Sequence, residues 1–372
     1  MMFDNHITKK NIMKFKVVVF LLLIVLFSSD HEPNLVYSQV GMEIHKISSV
    51  SGVGYDICIK ENCAYISSND GLEIIDIQDP YNPKRKTRLD ITDGSFGVYI
   101  EGDTAFIAAD TSGLVIANIT NPLEPVIIGQ SSNHGVASNV FVHENLAFLA
   151  CYEDGLKIFD VSNKTNPIKI GEYTESGRID NVVCRDDILY LTNPNLGVEV
   201  INITNPSVPV KIATISEASS ATGISIFDNF LFVGCYDSSV WIIDISSPIY
   251  PSIIGSHSDS DGGEALGVIG NSTHLYIADN YGIEYKNISN LPSITEEAEI
   301  RVGINAAHDI EFKGNYLFVA GGSATKCLLI FEVGLNQTEN SSHAFLEISV
   351  TLIVISGILQ IYLRHNKNKK IT

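Results

Sequence analysis

One phrase recurs along this chain, and its spacing leaves little choice of architecture. GLKIFDVSNKTNP at 155–167 is respelled as GLEIIDIQDPYNP at 71–83, GLVIANITNPLEP at 113–125, GVEVINITNPSVP at 197–209 and SVWIIDISSPIYP at 239–251, with weaker copies GIEYKNISNLP at 282–292 and CLLIFEV at 327–333. The residue closing each apolar run falls at Asp76, Asn118, Asp160, Asn202, Asp244, Asn287 and Glu332, so the spacings are 42, 42, 42, 42, 43 and 45. Seven units of this length occupy residues 41 to 333 of a 372-residue chain and leave no room for a second domain.

Each unit holds four short strand signals with period-two alternation, separated by turn residues. In the first complete unit these are YDICI, AYISS, LEIIDI and RKTRLDI, beginning at Tyr55, Ala64, Leu72 and Arg85. A four-stranded antiparallel sheet of this kind has two apolar faces and covers neither alone. Radial stacking covers both, and closing the ring removes the two bare ends. The expected fold is therefore all-β, a seven-bladed β-propeller of four-stranded antiparallel blades. The last unit stops after its third strand, and MEIHKI at 42–47 is a fourth strand without its first three. That N-terminal strand is expected to complete the seventh blade beside CLLIFEV.

The stretches GLKIFDVSNKTNP, GLEIIDIQDPYNP and GLVIANITNPLEP resemble the LVIVD repeat, whose mark is an apolar strand ending in Asp before an Asx-Pro turn. The resemblance spans nearly the whole repeat region and is weakest in the sixth unit, which lacks the Pro pair, and the seventh, which lacks the Asp. It implies a propeller of the cell surface or exported space, and it supplies no catalytic residues.

The two ends set an expected address. Lys9, Lys10, Lys14 and Lys16 precede VVVFLLLIVLF, an apolar run of 11 residues that is short for a bilayer span and reads as a secretory signal. Residues 1–38 are assigned to it, with Val36-Tyr37-Ser38 offering a cleavage site. Residues 39–334 then form the propeller, 335–343 a polar tether, 344–363 a transmembrane helix and 364–372 a basic tail. An apolar stretch of 20 residues spans about 30 Å, the thickness of a hydrocarbon core. The basic residues after it mark the cytoplasmic side. The chain is thus expected in the cell membrane as a single-pass protein, its N-terminal domain extracellular.

Net charge is −19 overall and −23 over residues 39–342. Such a surface excludes nucleic acid as a partner and argues against docking on anionic lipid, since both need clustered Lys and Arg. Six cysteines in a domain this large do not make a disulfide scaffold. Cys151 and Cys235 sit in equivalent positions two repeats apart. Cys58 and Cys63 face each other only if their hairpin turns at Lys60-Glu61 rather than Glu61-Asn62. Buried free thiols with one optional bridge are expected.

Candidate sites follow from aligning the repeats. The Asx column is read as a turn cap, because its side chain accepts backbone N–H bonds before the Pro. The innermost strands align Asp56, Gly97, Asn139, Asn181, Gly223, Gly267 and Asp309 along the central channel, where convergence demands small or polar residues. The preceding column is Tyr55, Phe96, Ser138, Asp180, Thr222, Leu266 and His308. Asp56, Asp180, His308 and Asp309 are therefore candidate ligand-binding residues at one channel mouth. HSDSDGGE at 257–264 gathers Asp259, Asp261 and Glu264, which as clustered carboxylates are candidate Ca2+ ligands, with a solvated polar loop as the simpler reading. His134, Arg178, Glu217 and Arg301 belong to equivalent rim loops.

No Gly-x-Ser-x-Gly, HExxH, CxxC or phosphate-binding glycine loop is present in the sequence. Asn-x-Ser/Thr sequons fall in the capping column at Asn118, Asn202 and Asn287. Those at Asn163, Asn271, Asn336 and Asn340 are the glycosylation candidates. The leading expectation is a recognition or adhesion module whose rim loops bind a protein or surface glycan outside the cell. An extracellular hydrolase or lyase using carboxylates and His308 is the alternative, and a structural cell-envelope protein the third.

Overall fold

The computed structural model describes residues 36–38, 42–132, 134–258, 262–301, 307–321 and 326–335. Seven sheets are arranged as blades around a central channel. Within each blade the chain runs outward from the channel, strand by strand, because two-residue and glycine turns return every strand beside its predecessor. Blade 1 is β3 (Ile57–Lys60), β4 (Cys63–Ser68), β5 (Gly71–Asp76) and β6 (Lys84–Asp90). The innermost strands of blades 2 to 7 are β7 (Gly97–Glu101), β11 (Asn139–His143), β15 (Asn181–Arg185), β19 (Ala221–Phe227), β23 (Gly267–Gly270) and β27 (Ala307–Lys313). Each lies within a residue or two of its expected position.

Closure follows the expected route. β2 (Met42–Val50) pairs antiparallel with β29 (Leu328–Leu335), placing Ile44 opposite Val333 and Val50 opposite Leu328. The first and last blades then meet, with the Gly54 N–H donating to the Gly321 carbonyl at 2.7 Å. One strand was not foreseen. β1 (Val36–Ser38), the stretch read as a cleavage site, pairs with Ala298, Glu299 and Ile300 as a fifth strand on the outer edge of blade 6. The expected span at 344–363 and residues 336–343 of the tether lie outside the described residues, while Leu335, assigned to the tether, closes the last strand of the ring. Among the described residues no helix is long and apolar enough to cross a membrane.

The core is divided among the blade interfaces, as the alternation requires. Ala64 and Ile66 of β4 pack toward blade 7 with Phe318 and Leu328, while Cys63 and Tyr65 of the same strand pack toward blade 2 with Ile107 and Val115. Every blade is thus apolar on both faces. The glycine that opens the third strand in five of the seven units, at 71, 113, 155, 197 and 282, answers a geometric need. Gly155 has φ +74°, and a Cβ there would run into the Tyr173 carbonyl.

The sixth unit also departs from the repeat inside its third strand. Its third strand, β25 (Gly282–Asn290), carries Lys286 where the other units are apolar. Lys286 is fully buried and pairs with Glu284, two residues earlier on the same strand, at 2.6 Å. All six cysteines are free. The β3–β4 hairpin turns at Glu61-Asn62, which puts Cys58 opposite Tyr65 and Cys63 opposite Lys60. The optional bridge is therefore excluded by register.

Candidate functional site

The first residues of the innermost strands narrow the channel to a waist. Above it, a cavity of about 440 Å³ opens at one face of the ring. It is lined by every member of the aligned column, Tyr55, Phe96, Ser138, Asp180, Thr222, Leu266 and His308. Below the waist a second space of about 350 Å³ is lined by Cys58, Tyr99, Phe141, Val183, Ile269 and Glu311 among others. Glycine is required where strands crowd: a Cβ on Gly223 would meet the Leu266 carbonyl of the next blade.

At the waist Asp56 and Asp309 come together across the junction of blades 1 and 7. Asp56 accepts from its neighbour Ile57 N at 2.8 Å and from Val98 N of blade 2 at 2.7 Å. Asp309 in turn accepts from Ile57 N at 3.1 Å. Each carboxyl thus reaches to the inner strand of the following blade. Burial, together with the adjacent Asp309 charge, pushes Asp56 well above the ordinary carboxylate range, and burial raises Asp309 as well. The two side chains are hydrogen-bonded, and because two adjacent anions in so dry a place are costly both carboxyls stand above the usual range. Below them Glu311 is pushed up to about 8 by burial and by Asp309.

Asp180 belongs to a different arrangement. Its carboxylate is clamped by Arg178, Nε to Oδ1 at 2.6 Å and Nη2 to Oδ2 at 3.0 Å, and the Tyr236 hydroxyl donates to Oδ2 at 3.2 Å. The guanidinium also lies over the Tyr152 ring, 5.2 Å from its centroid. Asp180 is therefore neutralised where it stands, and the four candidate residues do not form one carboxylate cluster. His308 packs its ring 5.4 Å from Tyr55, which lies 5.1 Å from Phe96. Burial lowers the His308 pKa, so it is neutral at pH 7.

Tyr152 and Tyr236 are the aromatic lining residues that repeat alignment missed. Both follow a buried cysteine, as Cys151-Tyr152 and Cys235-Tyr236, and that shared pair was the available signal. Both stand at turns between second and third strands, which tip side chains over the channel.

Among the proposed metal ligands, Glu264 lines the cavity. Asp259 and Asp261 lie outside the described residues. Among the described residues no three His, Cys, Asp or Glu side chains converge in a manner that would hold a metal ion. Of the other rim residues, His134 bonds the Ser131 hydroxyl at 2.9 Å and Arg301 lies over Tyr281 at 5.4 Å.

On the opposite face the Asx column does what was expected of it. Asp76, Asn118, Asp160, Asn202, Asp244 and Asn287 each accept a bond from the N–H two residues on, at 2.8–2.9 Å. The N–H and hydroxyl groups of these turns hold Asp76, Asp160 and Asp244 below the usual carboxylate range. Asn163 and Asn271 make the same turn with Thr165 and Thr273. The Asn336 and Asn340 sequons lie outside the described residues.

The LVIVD repeat model matches residues 51–90, 95–132, 134–175, 218–259 and 305–324. None of the curated proteins matches the chain. Among solved structures, the Myceliophteria thermophila Cps50 (Swd1) β-propeller domain aligns over 78% of this chain and 100% of its own, at 11% identity and TM-score 0.64. The WD40 β-propeller domain of Doa1 aligns over 80% and 98%, at 7% identity and TM-score 0.61. The computationally designed Ika8 protein aligns over 77% and 98%, at 10% identity and TM-score 0.57. At these identities the likeness concerns the fold alone.

Proposed function

Since the chain is an LVIVD-repeat β-propeller, we propose that it is a recognition module, held on the outer side of a membrane by residues 344–363, that binds a protein or surface glycan through the channel mouth and its rim loops. The observation that carries this reading is the cavity of about 440 Å³, in which aromatic side chains alternate with a pre-formed polar cluster. Tyr152 and Tyr236 offer flat apolar faces with polar edges, and Asp180, held by Arg178 and the Tyr236 hydroxyl, offers an acceptor already fixed in place. Aromatic faces beside fixed hydrogen-bonding groups suit a pyranose ring or an extended polar peptide.

The test uses the full chain in nanodiscs on an array of surface glycans and peptides. Wild type is expected to return a defined set of ligands, and Tyr152→Ala with Tyr236→Ala to weaken them at least tenfold. Binding that survives both substitutions would move the site elsewhere. An array with no ligand at all would favour a structural role in the envelope.

The hydrolase or lyase reading draws on one feature, the hydrogen-bonded contact of Asp56 and Asp309 on the cavity floor, both raised above the usual carboxylate range. Two facts weigh against it. These carboxyls are in contact, whereas glycosidase pairs stand about 5 Å or more apart. Their oxygens are also occupied by the N–H groups of Ile57 and Val98. The pair is better suited to stitching blades than to attacking a substrate.

A further inference from the structure

The face opposite the cavity carries its own signal. Innermost strands run from the cavity face to the opposite face, so third strands end on that opposite face, at the Asx-Pro turns. Most of the exposed large apolar side chains among the described residues lie there, at those turns or in the first two residues of the outer strand that leaves them. Tyr81 is 56% exposed, Leu123 57%, Ile168 54%, Val208 61%, Ile249 58% and Tyr250 80%, and together they mark blades 1 to 5. Scattered apolar residues need no explanation, but a belt confined to one face does.

The chain leaves the ring on this same face. β29 is the third strand of blade 7, so it ends at Leu335 beside the Asx-Pro turns, and its partner β2 begins there at Met42. From Leu335, residues 336–343 reach at most about 28 Å before the apolar stretch 344–363 begins. A short tether holds the face that bears it near the bilayer, and a weak apolar contact then acts at high effective concentration.

We infer that the Asx-Pro face, with its belt from Tyr81 to Tyr250, rests in the interface of the bilayer and turns the channel mouth outward. The inference rests on the membrane-anchored reading proposed above. Its contact is apolar rather than electrostatic. The capping carboxylates Asp76, Asp160 and Asp244 border these turns, so the fitting partner is a zwitterionic lipid surface and not an anionic one. Proline at both ends of several of these turns, as in Pro248-Ile249-Tyr250-Pro251, presents the apolar pair on a rigid support.

The test is tryptophan quenching by brominated phosphatidylcholine, with the full chain reconstituted in vesicles of that lipid. Trp241→Phe supplies a background free of tryptophan, since the chain has one. Into it go Leu352→Trp in the apolar stretch, Tyr250→Trp on the belt and Tyr281→Trp on the mouth face, the last two at exposed positions that tolerate the change. Leu352→Trp and Tyr250→Trp are expected to lose at least half their emission, with Tyr281→Trp unchanged. An unquenched Leu352→Trp would remove the anchor and the inference with it. A quenched Leu352→Trp with Tyr250→Trp no different from Tyr281→Trp would keep the anchor and overturn the orientation. A glycan found on Asn163, which stands on the belt face, would overturn it as well.

Discussion

The two faces of the ring are made by the ends of the same strands, yet one repeats and the other does not. On the Asx-Pro face a single hydrogen bond recurs in six blades, with Asp and Asn interchanged and its length constant at 2.8–2.9 Å. On the mouth face the equivalent positions read Tyr55, Phe96, Ser138, Asp180, Thr222, Leu266 and His308, with no residue used twice. A position used identically in every blade serves the blade. A position released from that duty is available to a ligand, and the waist between the two keeps the ring closed while the mouth varies.

Substitutions at the waist should have the largest effect. Gly223→Val forces a branched side chain onto the Leu266 carbonyl and is expected to destabilise by about 3 kcal/mol, seen as a lower denaturation midpoint in urea. A near-neutral result would mean the strands converge less tightly than described.

Glu311 gives the next effect, through pH. Its folded-state pKa of about 8 lies above the ordinary glutamate value, so the folded chain binds the extra proton. Stability should therefore fall as pH rises from the ordinary carboxylate range to about 8, and be unaffected by this group below that range. Wild type is expected to lose a few degrees in Tm across this window, and Glu311→Gln to lose less. Equal slopes would show that Glu311 ionises freely in the channel.

The smallest effect belongs to the repeated face. Asn202→Ala removes one turn cap and should cost about 1 kcal/mol, whereas Asn202→Asp keeps the acceptor and should stay within about 0.5 kcal/mol. An Asp that costs as much as Ala would mean the amide nitrogen, and not the shared oxygen, makes the cap.

What could be read from sequence was whatever depends on local spacing. Alternation and glycine turns set strand order, and two part-repeats at the ends of the array foretold the pairing of β2 with β29. The Asx cap was legible because donor and acceptor are two residues apart. The Arg178–Asp180–Tyr236 cluster was not, because Tyr236 comes from the neighbouring blade and strand inclination, which no spacing encodes, decides what it meets. Asp56 and Asp309 were aligned correctly, but the upward shift of both carboxyls reflects burial known only once the ring is closed. β1 escaped notice because three residues carry no detectable period.

The most direct test compares the two faces on one molecule. Hydroxyl-radical footprinting of the full chain in nanodiscs, before and after adding the best ligand from the array, reports on tyrosines of both. The account predicts that ligand protects Tyr55, Tyr152 and Tyr236 and leaves Tyr81 and Tyr250 unchanged. Protection of Tyr81 and Tyr250, with the mouth tyrosines unchanged, would contradict it.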